Sequence, residues 1–155
     1  MTRSVPFKRS AQAVRARLTK SRLLPIPRGV GDQLALQAHL SLAGLRSGVE
    51  DVRLAHSVTE VILLTKFLAE AGHGDVSHEM LLAANRAMAE IHDGATKTGK
   101  YAAPTEAAFS LLSAIVSTYD HQLQTAPLGA LTDANDRLQR FKAGEPYHLL
   151  QKRGA

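Results

Sequence analysis

The segment Gly31-Asp32-Gln33-Leu34-Ala35-Leu36-Gln37-Ala38-His39-Leu40-Ser41-Leu42-Ala43-Gly44-Leu45-Arg46 admits two readings, and the choice between them decides the fold class. Leu34, Leu36, Ala38, Leu40 and Leu42 alternate as a half-buried strand would. At 3.6 residues per turn, Gln33, Gln37, Ser41 and Gly44 fall instead at i, i+4, i+8 and i+11. They then form one narrow polar stripe on an otherwise apolar cylinder, and the helical reading is the better one. A helix polar along one stripe alone is buried on most sides. The segment is therefore expected to be the central helix of an all-α body, ended by Ser47-Gly48.

Working outward, a second helix is expected from about Glu50 to Ala71, with Glu50 and Asp51 in its first turn, where they favour the helix dipole. Its second half, Val61-Ile62-Leu63-Leu64 with Phe67 and Leu68, must be deeply buried, and Gly72-His73-Gly74 stops it. Asp75 or Ser77 can cap the next helix, whose inward stripe is Leu81, Ala84, Met88, Ile91 and Ala95. Asp93 and Lys97 on its outer face have the favourable i, i+4 order. Pro104 stands at a first helical position, and Ala108, Leu111, Leu112, Ile115, Tyr119 and Leu123 give a face running to about Gln124. Pro127 opens the last helix, with Leu131, Ala134, Leu138 and Phe141 inward, ending at Gly144-Glu145-Pro146. On the N-terminal side, Ser10–Leu24 can form a helix whose thin apolar face is Ala11, Val14 and Leu18. Leu24-Pro25-Ile26-Pro27 ends it, because a residue before proline is pushed out of the helical region. The expected architecture is an all-α bundle of about five helices over residues 29–144. A basic arm, partly helical or disordered, precedes it at 1–28, and a tail follows at 145–155.

The 155 residues, 45% of them hydrophobic, fit one domain. The absence of cysteine excludes disulfides and thiolate metal sites and suits a reducing cytosol. No apolar run approaches a membrane span and no secretory signal is visible, so no membrane partner and a cytoplasmic location are expected. An Arg-rich, acid-free N-terminus also resembles a mitochondrial presequence in composition.

Charge is distributed in three blocks. Residues 1–28 carry eight bases and no acid: Arg3, Lys8, Arg9, Arg15, Arg17, Lys20, Arg22 and Arg28. Residues 29–136 hold six bases against thirteen acids, and residues 137–155 hold five bases against Glu145, so the net charge of +5 conceals blocks of +8, −7 and +4. Arginine at near-helical spacing, at Arg9, Arg15, Arg17 and Arg22, suits phosphate oxygens. Contacts of that kind are strong, salt-sensitive and poor in sequence information. Phe7, between Arg3 and Lys8, is the single aromatic residue among these bases, which argues against stacking on single strands. An acidic protein surface is the alternative partner, and a charged, solvated terminus the neutral reading.

Three other clusters carry weaker chemistry. Gly94-Ala95-Thr96-Lys97-Thr98-Gly99-Lys100-Tyr101 nearly matches a P-loop, but Tyr101 stands where a small hydroxyl must ligate magnesium, and a helix precedes it where a strand is required. Of seven histidines, His56 shares a face with Glu60, and Asp120 precedes His121 on another helix. The Glu-x-x-His spacing of helical di-metal sites occurs only at Glu70–His73 and Glu145–His148, each at a helix end broken by Gly72 or Pro146, so these read as ion pairs or polar contacts. The loop His73-Gly74-Asp75-Val76-Ser77-His78 is dense in reactive side chains without a definable triad order, and reads as a tight turn with a helix cap.

Residues 35–48 (ALQAHLSLAGLRSG), 66–74 (KFLAEAGHG) and 119–123 (YDHQL) resemble a family of small all-helical bacterial accessory-genome proteins often labelled Fis-family transcriptional regulators. The resemblance spans about residues 23–141. It implies an all-helical body and, by its label, an association with DNA, while assigning no catalytic or binding residue. The expectation is a non-enzymatic regulator or accessory factor, without cofactor or metal, that contacts DNA through the eight bases of the arm. Its acidic body would then mediate dimerisation or partner contact. The competing expectation is an adaptor or inhibitor whose arm docks on an acidic protein.

Overall fold

The computed structural model describes residues 7–146, with side chains from Ala11 onward. They form six helices: α1 (Phe7–Leu23), α2 (Arg28–Arg46), α3 (Val52–Glu70), α4 (His78–Thr98), α5 (Glu106–Thr125) and α6 (Leu128–Lys142). Among the described residues the only β-type pairing is a single bridge between Pro25 and Pro127. The chain is thus all-α, with six helices rather than about five. Residues 1–6 and 147–155, where part of the arm and most of the tail were expected, lie outside the described residues.

Side-chain caps set three of the helix starts. Asp51 accepts from the Arg53 N–H at 2.9 Å, Ser77 from Met80 at 3.1 Å and Thr105 from Ala108 at 3.2 Å. Two expectations are thereby corrected. Asp51 is a cap and not a first-turn residue, and Glu50 stands outside the helix, 3.5 Å from Lys100. Pro104 precedes the Thr105 cap and does not open the helix. Asp93 and Lys97 form no ion pair among the described residues, while the stripe Leu81, Ala84, Met88, Ile91 and Ala95 is buried throughout.

The centre of the bundle is α3, which packs against α2, α4, α5 and α6, whereas α2 packs substantially only on α3 and α5. This displaces α2 from the centre. Ala35, Ala38, Leu42 and Leu45 face the core, but Leu36 and Leu40 are 59% and 60% exposed on the opposite side. Ser41, expected on the narrow polar stripe, is buried: its hydroxyl donates to the Gln37 carbonyl at 2.8 Å and lies 3.0 Å from the Ser57 hydroxyl of α3. Phe141 is likewise outward rather than inward.

The densest polar contact of the core is Gln122 on α5. Its Nε2 donates to the Thr65 carbonyl at 3.0 Å and to the His73 carbonyl at 2.9 Å. It therefore fastens the α3–α4 turn to α5. Gly74 lies against it with φ +83°, in the left-handed region open to glycine.

Candidate nucleic-acid interface

From residue 11 to residue 20 every side chain of α1 is exposed. The helix holds 17 residues, about 25 Å of rise, and contains no acid. Ala11, Val14 and Leu18, at i, i+3 and i+7, form one apolar stripe, with Val14 and Leu18 53% and 60% exposed. Arg15 and Arg22 stand seven residues apart along one flank, and Arg17 lies on the other.

The C-terminal turn of α1 is fastened to α6. Arg22 reaches Asp133 at 2.7 Å, and the Leu128 N–H donates to the Leu24 carbonyl at 2.8 Å. Gly129 permits this approach, because a Cβ there would stand 2.9 Å from the Arg22 Cβ and 3.0 Å from its carbonyl oxygen. Ile26, between the two prolines, is buried in the core. The segment 24–27 therefore joins α1 to the bundle through backbone and core contacts.

The eight expected contact residues separate into groups. Arg3 lies outside the described residues, and the side chains of Lys8 and Arg9 lie outside the described ones. Arg15, Arg17 and Lys20 are exposed and have no acidic partner among the described residues. Arg22 is committed to Asp133, which with Asp136 raises the pKa of its guanidinium further. Arg28 opens α2, 3.8 Å from Asp32, and so belongs to the body.

The basic residues at the other end of the chain are arranged differently. Arg137 pairs with Glu70 at 2.7 Å and stacks 4.0 Å above the Phe67 ring, while Lys142 reaches Glu60 at 2.6 Å. Arg140 meets Glu145 at 2.7 Å. These pairs fasten α6 to α3 and secure the end of α6, whereas Arg15, Arg17 and Lys20 stand on a helix that carries no acid.

The histidine clusters resolve into structural contacts. Glu60 is taken by Lys142 rather than His56, and Asp120 faces His39 at 3.2 Å rather than His121. His56 lies against His92 with ring centroids 5.5 Å apart. His92 Nε2 is 3.2 Å from the Thr59 hydroxyl and Nδ1 is 3.4 Å from the Tyr101 hydroxyl. Burial, and then the neighbouring His56, push the His92 pKa down. Among the described residues no group of three His, Asp or Glu side chains could hold a metal ion. The P-loop-like segment runs along α4 to the left-handed cap at Gly99, and its Tyr101 turns back to His92.

Sequence reasoning missed Gln122, Ser41 and the Gly129–Asp133 anchor. Only Gly129 left a trace, as a glycine inside a helical pattern, where it costs about 1 kcal/mol unless close packing requires it. Comparison with protein-family models, with characterised proteins and with solved structures gives no match. Among the described residues no helix is long and apolar enough to cross a membrane.

Proposed function

We propose that the protein is a non-enzymatic DNA-associated regulator or accessory factor that contacts phosphates through α1, the bundle serving as the platform. The observation that carries this reading is the exposed, acid-free helix on which Arg15, Arg17 and Lys20 have no acidic partner among the described residues, while Arg137, Arg140 and Lys142 are paired with acids. Cations held on a helix and left unneutralised attract a polyanion and release its counterions on contact. The contact carries little sequence information, so any specificity comes from the bundle or from a partner.

The test is a gel shift on a duplex at near-physiological salt, comparing the full chain with the triple variant Arg15→Ala, Arg17→Ala, Lys20→Ala. All three positions are exposed, so the helical circular dichroism should persist. Binding should fall uniformly across sequences, and the slope of log K against log salt should flatten by about 0.9 for each phosphate that the variant no longer neutralises. Binding unchanged in the variant would sink the proposal.

Val14 and Leu18 favour a second reading. Phosphate contact does not need an exposed apolar stripe, whereas docking on an acidic protein surface does. Val14→Ser with Leu18→Ser separates the two: DNA affinity should survive that pair if α1 acts on phosphate alone.

A further inference from the structure

A cleft of about 350 Å³ opens between α2, α3, α5 and α6, lined by Leu34, Leu64, Tyr119, Leu131, Thr132 and Asn135. Tyr119 is 2% exposed, yet its hydroxyl makes no hydrogen bond to any described residue. A buried phenol normally finds a partner, because leaving one unpaired forfeits its solvation. Tyr119 lines this cleft, so a molecule seated there would supply the missing partner. A phenol is a donor at neutral pH, and burial pushes this one's pKa further up, to about 12.

The remaining polar groups complete a donor pattern. Asn135 Oδ1 accepts from Gln139 at 3.5 Å, which leaves the Asn135 amide N–H groups available. The Thr132 hydroxyl is turned to the Leu128 carbonyl at 3.0 Å. Tyr119 and Asn135 thus supply donor groups in the wall of a cleft that also holds three leucines and, among the described residues, no charged side chain. With no lining cation to pair it, a carboxylate would give up hydration here for no compensating charge, so the matching acceptor is neutral. The volume is at the small end of the range for small-molecule sites, about 300–1,000 Å³.

We infer that this cleft is a binding site for a small uncharged carbonyl compound, its apolar ring or branched chain against Leu34, Leu64 and Leu131 and its oxygen on Tyr119 and Asn135. The site is separate from α1 and stands or falls independently of the nucleic-acid proposal.

Acetophenone is the probe, with ethylbenzene as its analogue lacking the acceptor and benzoate as the charged one, each titrated into the full chain and followed by leucine methyl NMR. Acetophenone should shift the Leu34, Leu64 and Leu131 methyls saturably, with a dissociation constant on the order of a millimolar. It should bind about fivefold more tightly than ethylbenzene, as one added hydrogen bond allows. Tyr119→Phe deletes only a hydroxyl that no described protein group uses, so the fold should persist while the two ligands become equal. The inference is overturned by the absence of saturable shifts at those methyls, by a preference that survives Tyr119→Phe, or by tighter binding of benzoate. Shifts that follow protein concentration alone would mean that a second copy covers the cleft, and would overturn it equally.

Discussion

At Gly74, a Cβ would stand 2.7 Å from Gln122 Cγ and 2.8 Å from Nε2, on a backbone with φ +83°. Two penalties therefore meet in Gly74→Ala: left-handed strain, and displacement of the amide that holds the Thr65 and His73 carbonyls. A loss of about 1–3 kcal/mol is expected in urea unfolding. Gly94→Ala, inside α4 with nothing within 4 Å, should instead gain up to about 1 kcal/mol in the same assay. His92 gives a second residue-scale prediction. Burial and His56 lower its pKa below the ordinary histidine value, with Asp93 opposing, so the unfolded chain binds the proton more readily than the folded one. Its neutral form contributes stability that is present above the unfolded value and lost as pH falls through the depressed folded one. The urea midpoint should therefore drop on acidification from neutral pH, and less so in His92→Gln. An equal drop in both would assign the acid sensitivity elsewhere.

Among the elements, α2 is the most instructive, because its leucines serve two faces. Leu42→Ala and Leu45→Ala remove side chains that are 3% and 1% exposed and should each cost about 2–5 kcal/mol. Leu36→Lys and Leu40→Lys alter outward positions and should each stay within about 0.5 kcal/mol of the parent chain. Large losses at Leu36 and Leu40 would restore the helix buried on most sides that the sequence pattern alone suggested. That contrast marks how far the sequence was legible. Helix periodicity located all five body helices and the whole inward stripe of α4, because spacing records which residues share a face. It could not record which apolar face meets the core when a helix has two, and so made α2 central in place of α3. Polar anchors escaped for a related reason: Ser41 and Gln122 look like solvent-facing residues until a neighbouring helix supplies their partners. In the candidate interface the exposed cations Arg15, Arg17 and Lys20 were legible from composition. The loss of Arg22 to Asp133 was not, because it depends on a pairing 111 residues away in sequence.

Across the whole molecule, stability and charge are divided along the same line. The bundle draws its stability from a shared core around α3, whereas α1 meets the remainder chiefly through its last turn on α6. A helix of 17 residues with no buried face from 11 to 20 rests on propensity alone over that stretch, and isolated helices of such length are marginal in water. Like charges along it, with no acid to offset them, lower the margin further. Amide exchange should therefore be graded: fast from residue 11 to residue 20, and slow, near the global unfolding free energy, in the core turns of α3 and α5. Adding duplex DNA tests this division together with the proposed function. Phosphates bound by Arg15, Arg17 and Lys20 would neutralise the repulsion that opposes the helix, so protection should rise in α1 by about tenfold or more and stay unchanged in α3 and α5. Protection that rose across the bundle with none gained in α1 would place the contact on the body instead. A stretch of α1 already as protected as α3 without DNA would show that its exposed face is covered by something other than nucleic acid.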